Sequence, residues 1–147
     1  MASLLRRARD HKGAALIEVA LTLPLLLLVS VGIFEFGRAY QTWQVLTNAA
    51  REGARMAVLP DSTDDAIEER ARSYMQSGQL PGYDDADIDI THDNDIDIGG
   101  AMSTASEVTI SYPFSFVVLQ PVASLVVPGT SLGSPIIMAA SAMMRNE

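Results

Sequence analysis

The stretch "HKGAALIEVALTLPLLLL" (residues 11–28) joins two features that conflict: an apolar run and a carboxylate, Glu18, five residues past a glycine. The run continues from Ala14 to Phe34, about 21 residues or roughly 32 Å as a helix, which is enough for a bilayer core. A charged side chain at the bilayer centre costs about 2.5–3.5 kcal/mol on insertion scales. Glu18 is nearer one end, where the cost is smaller and the side chain can snorkel. A plain anchor still has no use for it. Three readings compete: a secretory signal cut after the small residues Ser30-Val31-Gly32, an uncleaved single-pass anchor, and a signal cut before the apolar segment, after Gly13. The run is long and its helical patterning continues through the supposed cut after Gly32, which weighs against the first.

Charge is distributed unevenly around this segment. Of 10 basic residues, Arg6, Arg7, Arg9 and Lys12 precede Gly13, whereas of 18 acids only Asp10 does. A short basic head before an apolar run stays in the cytoplasm, so the acidic remainder is expected outside. That acidity excludes phosphate-directed binding of nucleic acid, which needs a basic face. Cysteine is absent, which removes disulfides, thiolate metal sites and cysteine nucleophiles.

Helical spacing persists beyond the apolar run. Phe36, Tyr40, Trp43, Leu46, Ala50, Gly53 and Ala57 recur every three or four residues, with Arg38, Gln41, Gln44, Asn48, Arg51 and Arg55 on the other side. One long helix from about Ala14 to Leu59 is predicted, stopped by Pro60 and loosened or kinked at Pro24. The stretch "DSTDDAIEERARSYMQSG" reads as a second helix, capped within Asp61–Thr63, stopped at Gly78, with an apolar stripe of Ile67, Ala71, Tyr74 and Met75. The period then changes to two. "ADIDIT", "NDIDIG" and "EVTISY" alternate as strands, isoleucine on one face and acid on the other in the first two, and "PIIMAASAMMR" reads as a closing strand. Gly99, Gly100 and the run Ser103–Ser106 read as turn or loop. Residues 113–135 are apolar but broken by proline and glycine, giving a hydrophobic loop or broken helix, buried on the domain or resting near the membrane surface. The fold class is α+β: a long N-terminal helix with a transmembrane first half and an amphipathic second half, a short second helix and a small antiparallel sheet.

A basic leader ending in glycine, an apolar helix, and glutamate fifth after the cut together resemble type IV prepilins and pseudopilins. "LPLLLLVSVGIFEFGRAY", "NAAREGARMAV", "VTISYPF" and the terminal "ASAMMRNE" narrow this to the TadE-like pseudopilins of tight-adherence (Flp, type IVc) pilus systems. The resemblance is strongest from Gly13 to Val58. It implies a cytoplasmic leader over 1–13, a transmembrane helix over 14–34 and an extracytoplasmic pilin-like domain over 35–147. Gly13 would precede the scissile bond of a prepilin peptidase, and Ala14 would become the new N-terminus. Glu18 would face the Ala14 amine of a neighbouring subunit, an attraction of about 4 kcal/mol at 4 Å and an effective dielectric near 20 before desolvation, which cancels much of it. Glu18 then sets register, and apolar helix packing supplies most of the cohesion. Pro24 would let the helix loosen on passing from bilayer to fibre. The implied partners are the peptidase, other pilin or pseudopilin subunits, an inner-membrane assembly platform and membrane lipid. Major Flp pilins carry tyrosine directly after the glutamate and are much shorter. Val19 and the domain of this size point instead to a minor pilin or pseudopilin.

The remaining motifs are weaker. Asp93, Asp95 and Asp97 have the spacing of the first EF-hand ligands, but Ile98 stands where the loop glycine belongs and Thr104 where the bidentate acid belongs. They read first as the wet face of strands, with a weak cation site as the alternative. His11 lies in the leader, His92 stands alone among aspartates, and no serine–histidine arrangement with a nucleophile elbow occurs. The chain is expected not to be an enzyme and to need no cofactor. Ala50, Gly53, Ala54 and Ala57 form a small-residue face that lets another element approach closely, read mainly as the seat of the sheet. The rival reading is an uncleaved single-pass membrane protein with an acidic, calcium-responsive binding domain.

Overall fold

The computed structural model describes residues 2–146, with side chains from residue 13 onward except those of 98, 101 and 126. The leader expected before Gly13, with its basic residues and His11, lies outside the described side chains. In chain order the elements are α1 (Ala2–Ala57), α2 (Asp64–Ser77), a short 3-10 turn (Tyr83–Asp85), β1 (Asp87–Ile98), β2 (Ala101–Phe114), α3 (Leu119–Val126) and β3 (Ile136–Arg145). The strands form one antiparallel sheet in the order β1-β2-β3. The expected α+β class is the one observed. Contacts divide the chain into two compact units, Met1–Gly37 with Phe116–Ser134, and Arg38–Ser115 with Pro135–Glu147.

The second unit holds most of the core. Leu46, Ala49, Ala50 and Ala54 of α1 are fully buried, as are Ile67, Ala71 and Met75 of α2 and Val108 and Ile110 of β2. The three α2 residues follow one another at intervals of four, which puts them on one face. Tyr74, expected in that stripe, sits on its flank and is exposed. Thr63 caps α2 by accepting the Ala66 N–H at 3.3 Å, and Asp64 and Asp65 occupy the first turn, where the helix dipole favours acids. Gly78 ends the helix, and a Cβ there would come within 2.5 Å of Val45 Cγ1, so the close approach of α2 to α1 demands glycine. Arg72 donates to the carbonyls of Tyr83, Asp84 and Ala86. It thereby satisfies the backbone of the turn that leads into the sheet.

Three features of the sheet differ from expectation. Residues Ser103–Ser106 belong to β2 and not to a loop, because Ala105 and Ser106 pair with Arg145 and Met144 while Thr104 and Ser103 pair with Asp95 and Ile96. A strand with partners on both sides overrides the turn preference of serine and threonine. "ADIDIT" and "NDIDIG" are one strand, interrupted by a bulge: Thr91 pairs with Glu107 and Asn94 with Ala105, leaving one extra residue in β1, and Asp93 takes φ 56°. Side chains alternate strictly along β2, so the bulge exchanges the faces of β1. Ile88 and Ile90 lie opposite Ile110 and Val108 on the core face, whereas Ile96 lies opposite Ser103 on the other. The hairpin joining β1 to β2 is the two-residue Gly99-Gly100 connection, with φ of 65° and 95° that suit glycine, and Asp97 Oδ1 accepts the Gly100 N–H at 2.6 Å.

The helix α1 ends at Ala57, two residues before the predicted Leu59. The residue preceding Pro60 is biased away from helical backbone. Ser62 Oγ caps the open end by donating to the Met56 carbonyl at 2.6 Å. Glu52 is shared between two arginines, Arg70 on α2 at 3.0 Å and Arg55 at 3.2 Å. The hydrogen bonds from Arg70 and then Arg55 hold its carboxyl below the usual carboxylate range. A depressed folded pKa stabilises the protein above the unfolded value and loses that contribution as pH falls through the folded one. Denaturant titrations should therefore show stability declining on acidification, with a shallower decline in Glu52→Gln. Gly53 leaves 3.1 Å between a built Cβ and Val108 Cγ1. Gly53→Leu should overpack that contact and lower unfolding free energy by about 1–3 kcal/mol, measured by chemical denaturation in detergent.

Candidate assembly site on the N-terminal helix

Gly13, Ala14, Glu18 and Pro24 all lie on α1, which runs without a break through the Gly13–Ala14 bond and through Pro24. Glu18 is five residues past Gly13, an axial rise of about 7.5 Å. Both residues are exposed. A Cβ added to Gly13 would meet nothing within 4 Å. Among the described residues no neighbour requires glycine there, although glycine in a helix costs about 1 kcal/mol relative to alanine. Gly32 and Gly37 are equally open.

The surface around these residues has the character of a lipid-facing helix. Leu16, Leu21 and Ile33 are more than two-thirds exposed, and Leu23, Leu25, Leu26 and Val29 more than one-third. Residues 13–57 include a window of mean hydropathy 2.4, and the helix is long and apolar enough to cross a membrane, which fits a single-pass membrane protein. The hydroxyls of Thr22 and Ser30 donate back to the carbonyls of Glu18 at 2.9 Å and Leu26 at 2.8 Å. Such bonds keep hydroxyls satisfied where water is absent. Pro24 lacks an N–H, so the Ala20 carbonyl loses its helical donor without the helix being interrupted.

A second carboxylate on this helix went unremarked in the sequence. Glu35 closes the apolar run and is completely buried. Its Oε1 accepts two backbone N–H groups, from Val117 at 2.9 Å and Val118 at 2.6 Å. Val118 is the N-cap of α3, and no side chain of α3 caps that end. Glu35 therefore acts as the cap from another helix, where a carboxylate also meets the positive end of the helix dipole. The available signal was an acid flanked by two phenylalanines, "FEF", at the boundary of the apolar run. Its partners, more than 80 positions away, were not legible.

The small-residue face lies in the other unit. Ala50 and Ala54 are fully buried, Ala57 is half-buried, and Gly53 faces Val108 of β2. The three aspartates of the candidate cation site are not brought together. Asp93 accepts from Asn146 Nδ2 at 2.9 Å and Asp97 from the Gly100 N–H, while Asp95 is exposed across from Thr104. Among the described residues no three His, Cys, Asp or Glu side chains converge as metal ligands. An extended strand sends alternate side chains along one face, whereas an EF-hand loop curls them around a centre. His92 does have partners: its Nε2 lies 2.8 Å from Asp64 Oδ1, and its Nδ1 3.5 Å from Ser106 Oγ. The Ser106 hydroxyl is buried and donates to Asn146 Oδ1 at 2.9 Å. A hydroxyl with its proton committed to an amide oxygen is not an activated nucleophile. The cluster ties α2, the β1 bulge and the chain's end together.

Residues 13–55 match the family model described as TadE-like protein. This segment is similar to TadE-like proteins. Neither a curated protein nor a solved structure gives a match to the chain. The TadE-like segment begins at Gly13 and contains Glu18, Pro24, Glu35 and the small residues Ala50, Gly53 and Ala54. Proteins of this kind are generally structural and not catalytic. Replacing Glu35 by alanine should expose the Val117 and Val118 amides. Hydrogen bonds to charged groups contribute about 1.5–3 kcal/mol, so their exchange protection should fall by about one to two orders of magnitude. Glu35→Gln keeps an acceptor oxygen and should lose less. Amide exchange of the detergent-solubilised full chain, read by mass spectrometry, checks both.

Proposed function

We propose that the chain is a non-enzymatic minor pilin or pseudopilin that takes part in assembling a tight-adherence type IV pilus. In this reading a prepilin peptidase cuts between Gly13 and Ala14. The observation that carries the proposal is the start of the TadE-like match at Gly13, coupled to a glycine for which the described residues show no steric need. The absence of a side chain then serves another molecule: the peptidase has to approach the backbone and extend a helical bond before cutting it. Glycine lowers the cost of that local unwinding.

The cut leaves Ala14 as a new amine with Glu18 on the same exposed helix. An amine and a carboxylate exposed on an apolar helix can be paired between subunits. Glu18 then sets the register of docking, and the exposed leucines supply cohesion. In this reading the basic head stays in the cytoplasm and residues 35–147 lie outside the inner membrane, as the positive-inside rule favours. The partners in this reading are the peptidase, related pilin or pseudopilin subunits, the inner-membrane assembly platform and lipid.

The deciding measurement is the mature N-terminus, by mass spectrometry of protein from cells with and without the peptidase. An N-terminus at Ala14 that depends on the peptidase is expected. An intact Met1 in both samples would sink the proposal in favour of an uncleaved anchor, and an N-terminus at Ile33 would replace it with a secreted protein. Glu18→Ala should leave cleavage and insertion intact while reducing recovery of the chain with its partner subunits, scored by cross-linking in membranes.

A further inference from the structure

We propose that Phe116–Ser134 is a second membrane-contacting element, lying in the lipid–water interface at the Glu35 end of the span and tethered there by Glu35. The proposal rests on α1 being inserted in a bilayer. Four observations carry it. No Asp, Glu, Lys, Arg or His occurs between Glu107 and Arg145, although charged residues are frequent immediately before that interval. Within it, Val117, Leu125, Val127 and Leu132 are all more than half exposed, Leu125 by 81%. Exposed apolar side chains thus continue within one unit from the leucines of α1 into this segment, and the solvent that suits the first suits the second.

The second and third observations set depth. Glu35 directly follows the apolar run ending at Phe34, so its level on α1 is the level where hydrocarbon gives way to headgroups. Its two hydrogen bonds from Val117 and Val118 bring the start of α3 to that same level. With eight residues, about 12 Å, α3 cannot cross a bilayer. It can lie in the interface, as short helices with an apolar exposed side do.

The fourth observation concerns the backbone, which must be satisfied internally where water is scarce. Val127 donates to the Ala123 carbonyl at 2.8 Å, Thr130 to Val127 at 3.2 Å and Ser134 to Ser131 at 3.1 Å. Ser124 Oγ donates to Pro121 O, and Thr130 Oγ1 accepts the Leu132 N–H. Gly133 makes the fold-back feasible, because its φ is 81° and a Cβ would come within 2.5 Å of Gln120 N. A loop that closes its own hydrogen bonds while exposing valine and leucine is suited to lipid and poorly suited to water.

The natural lack of cysteine makes the test direct. Single-cysteine full-length chains, Leu125→Cys, Leu132→Cys, Leu27→Cys and Gln76→Cys, are labelled with an environment-sensitive fluorophore. They are reconstituted in vesicles of phosphatidylcholine and phosphatidylglycerol carrying brominated acyl chains at shallow or deep positions. The labels at 125 and 132 should be blue-shifted and quenched most by shallow bromines, the label at 27 most by deep ones, and the label at 76 by neither. If 125 and 132 behave like 76 while 27 is quenched, the interfacial element is overturned and the membrane span stands; a second copy or another protein then covers this face. If 27 also behaves like 76, the span and the interfacial element both fall. Leu132→Cys lies outside α3 and keeps the test valid if Leu125→Cys unfolds that helix. Glu35→Leu added to Leu132→Cys should weaken the shallow quenching, and Glu35→Gln should largely preserve it.

Discussion

The structure depends on one helix that must satisfy two different surroundings. From Ala14 to Phe34 the side chains of α1 are apolar apart from Glu18, Thr22 and Ser30, so its surface suits hydrocarbon. From Leu46 onward one face is apolar and covered by protein, whereas Tyr40 and Trp43 before it stay exposed. The covering is close: Leu46, Ala49, Ala50 and Ala54 are sealed completely, and Gly53 lets Val108 approach until an added Cβ would lie 3.1 Å from its Cγ1. A helix with larger residues there would hold the sheet away and lose the dispersion contacts that close packing provides. Small residues therefore do on one half what leucines do on the other: each adapts the helix surface to what must touch it.

Acids on α1 follow the same division. Glu18 and Glu52 are exposed to different degrees and Glu35 is fully enclosed. Glu52 is screened by solvent and shared between Arg70 and Arg55, an arrangement that joins two helices with modest energy. Glu35 has left solvent altogether, and a carboxylate there is tolerable only because donors meet it. Backbone N–H groups at a helix start are well suited donors, since they are themselves without helical partners. One contact removes two liabilities, an enclosed charge and an uncapped helix. Glu18 has no such enclosure. Its side chain stays exposed on the apolar stretch of α1, five residues past Gly13.

Much of the fold was legible because it rests on periodicity. Spacing of three and four along residues 36–57 and of two along 107–112 gave the right elements, and Thr63, Gly78 and the Gly99-Gly100 pair marked true boundaries. The errors share a cause. Ser103–Ser106 has the composition of a loop, and only pairing with the neighbouring strands makes it a strand. "DIDIT" and "DIDIG" alternate identically, yet the bulge at Asp93 turns them to opposite faces, which no local pattern encodes. His92 looked isolated because Asp64, Ser106 and Asn146 are distant in sequence. Glu35 was overlooked for the same reason.

The sequence by itself determined the membrane-length helix, the asymmetry of charge, the α+β class and the placing of Gly13 five residues before Glu18. Each of these is written in neighbouring residues, through hydrophobic period, charge order and turn chemistry. Tertiary structure alone decided where buried polar groups find partners: Glu35 with the start of α3, Ser106 with Asn146, Tyr112 with the Pro81 carbonyl. The physical reason is that burial creates the requirement. A polar group in water is satisfied wherever it lies, whereas one enclosed by the fold must be met by whichever donor or acceptor the fold brings to it.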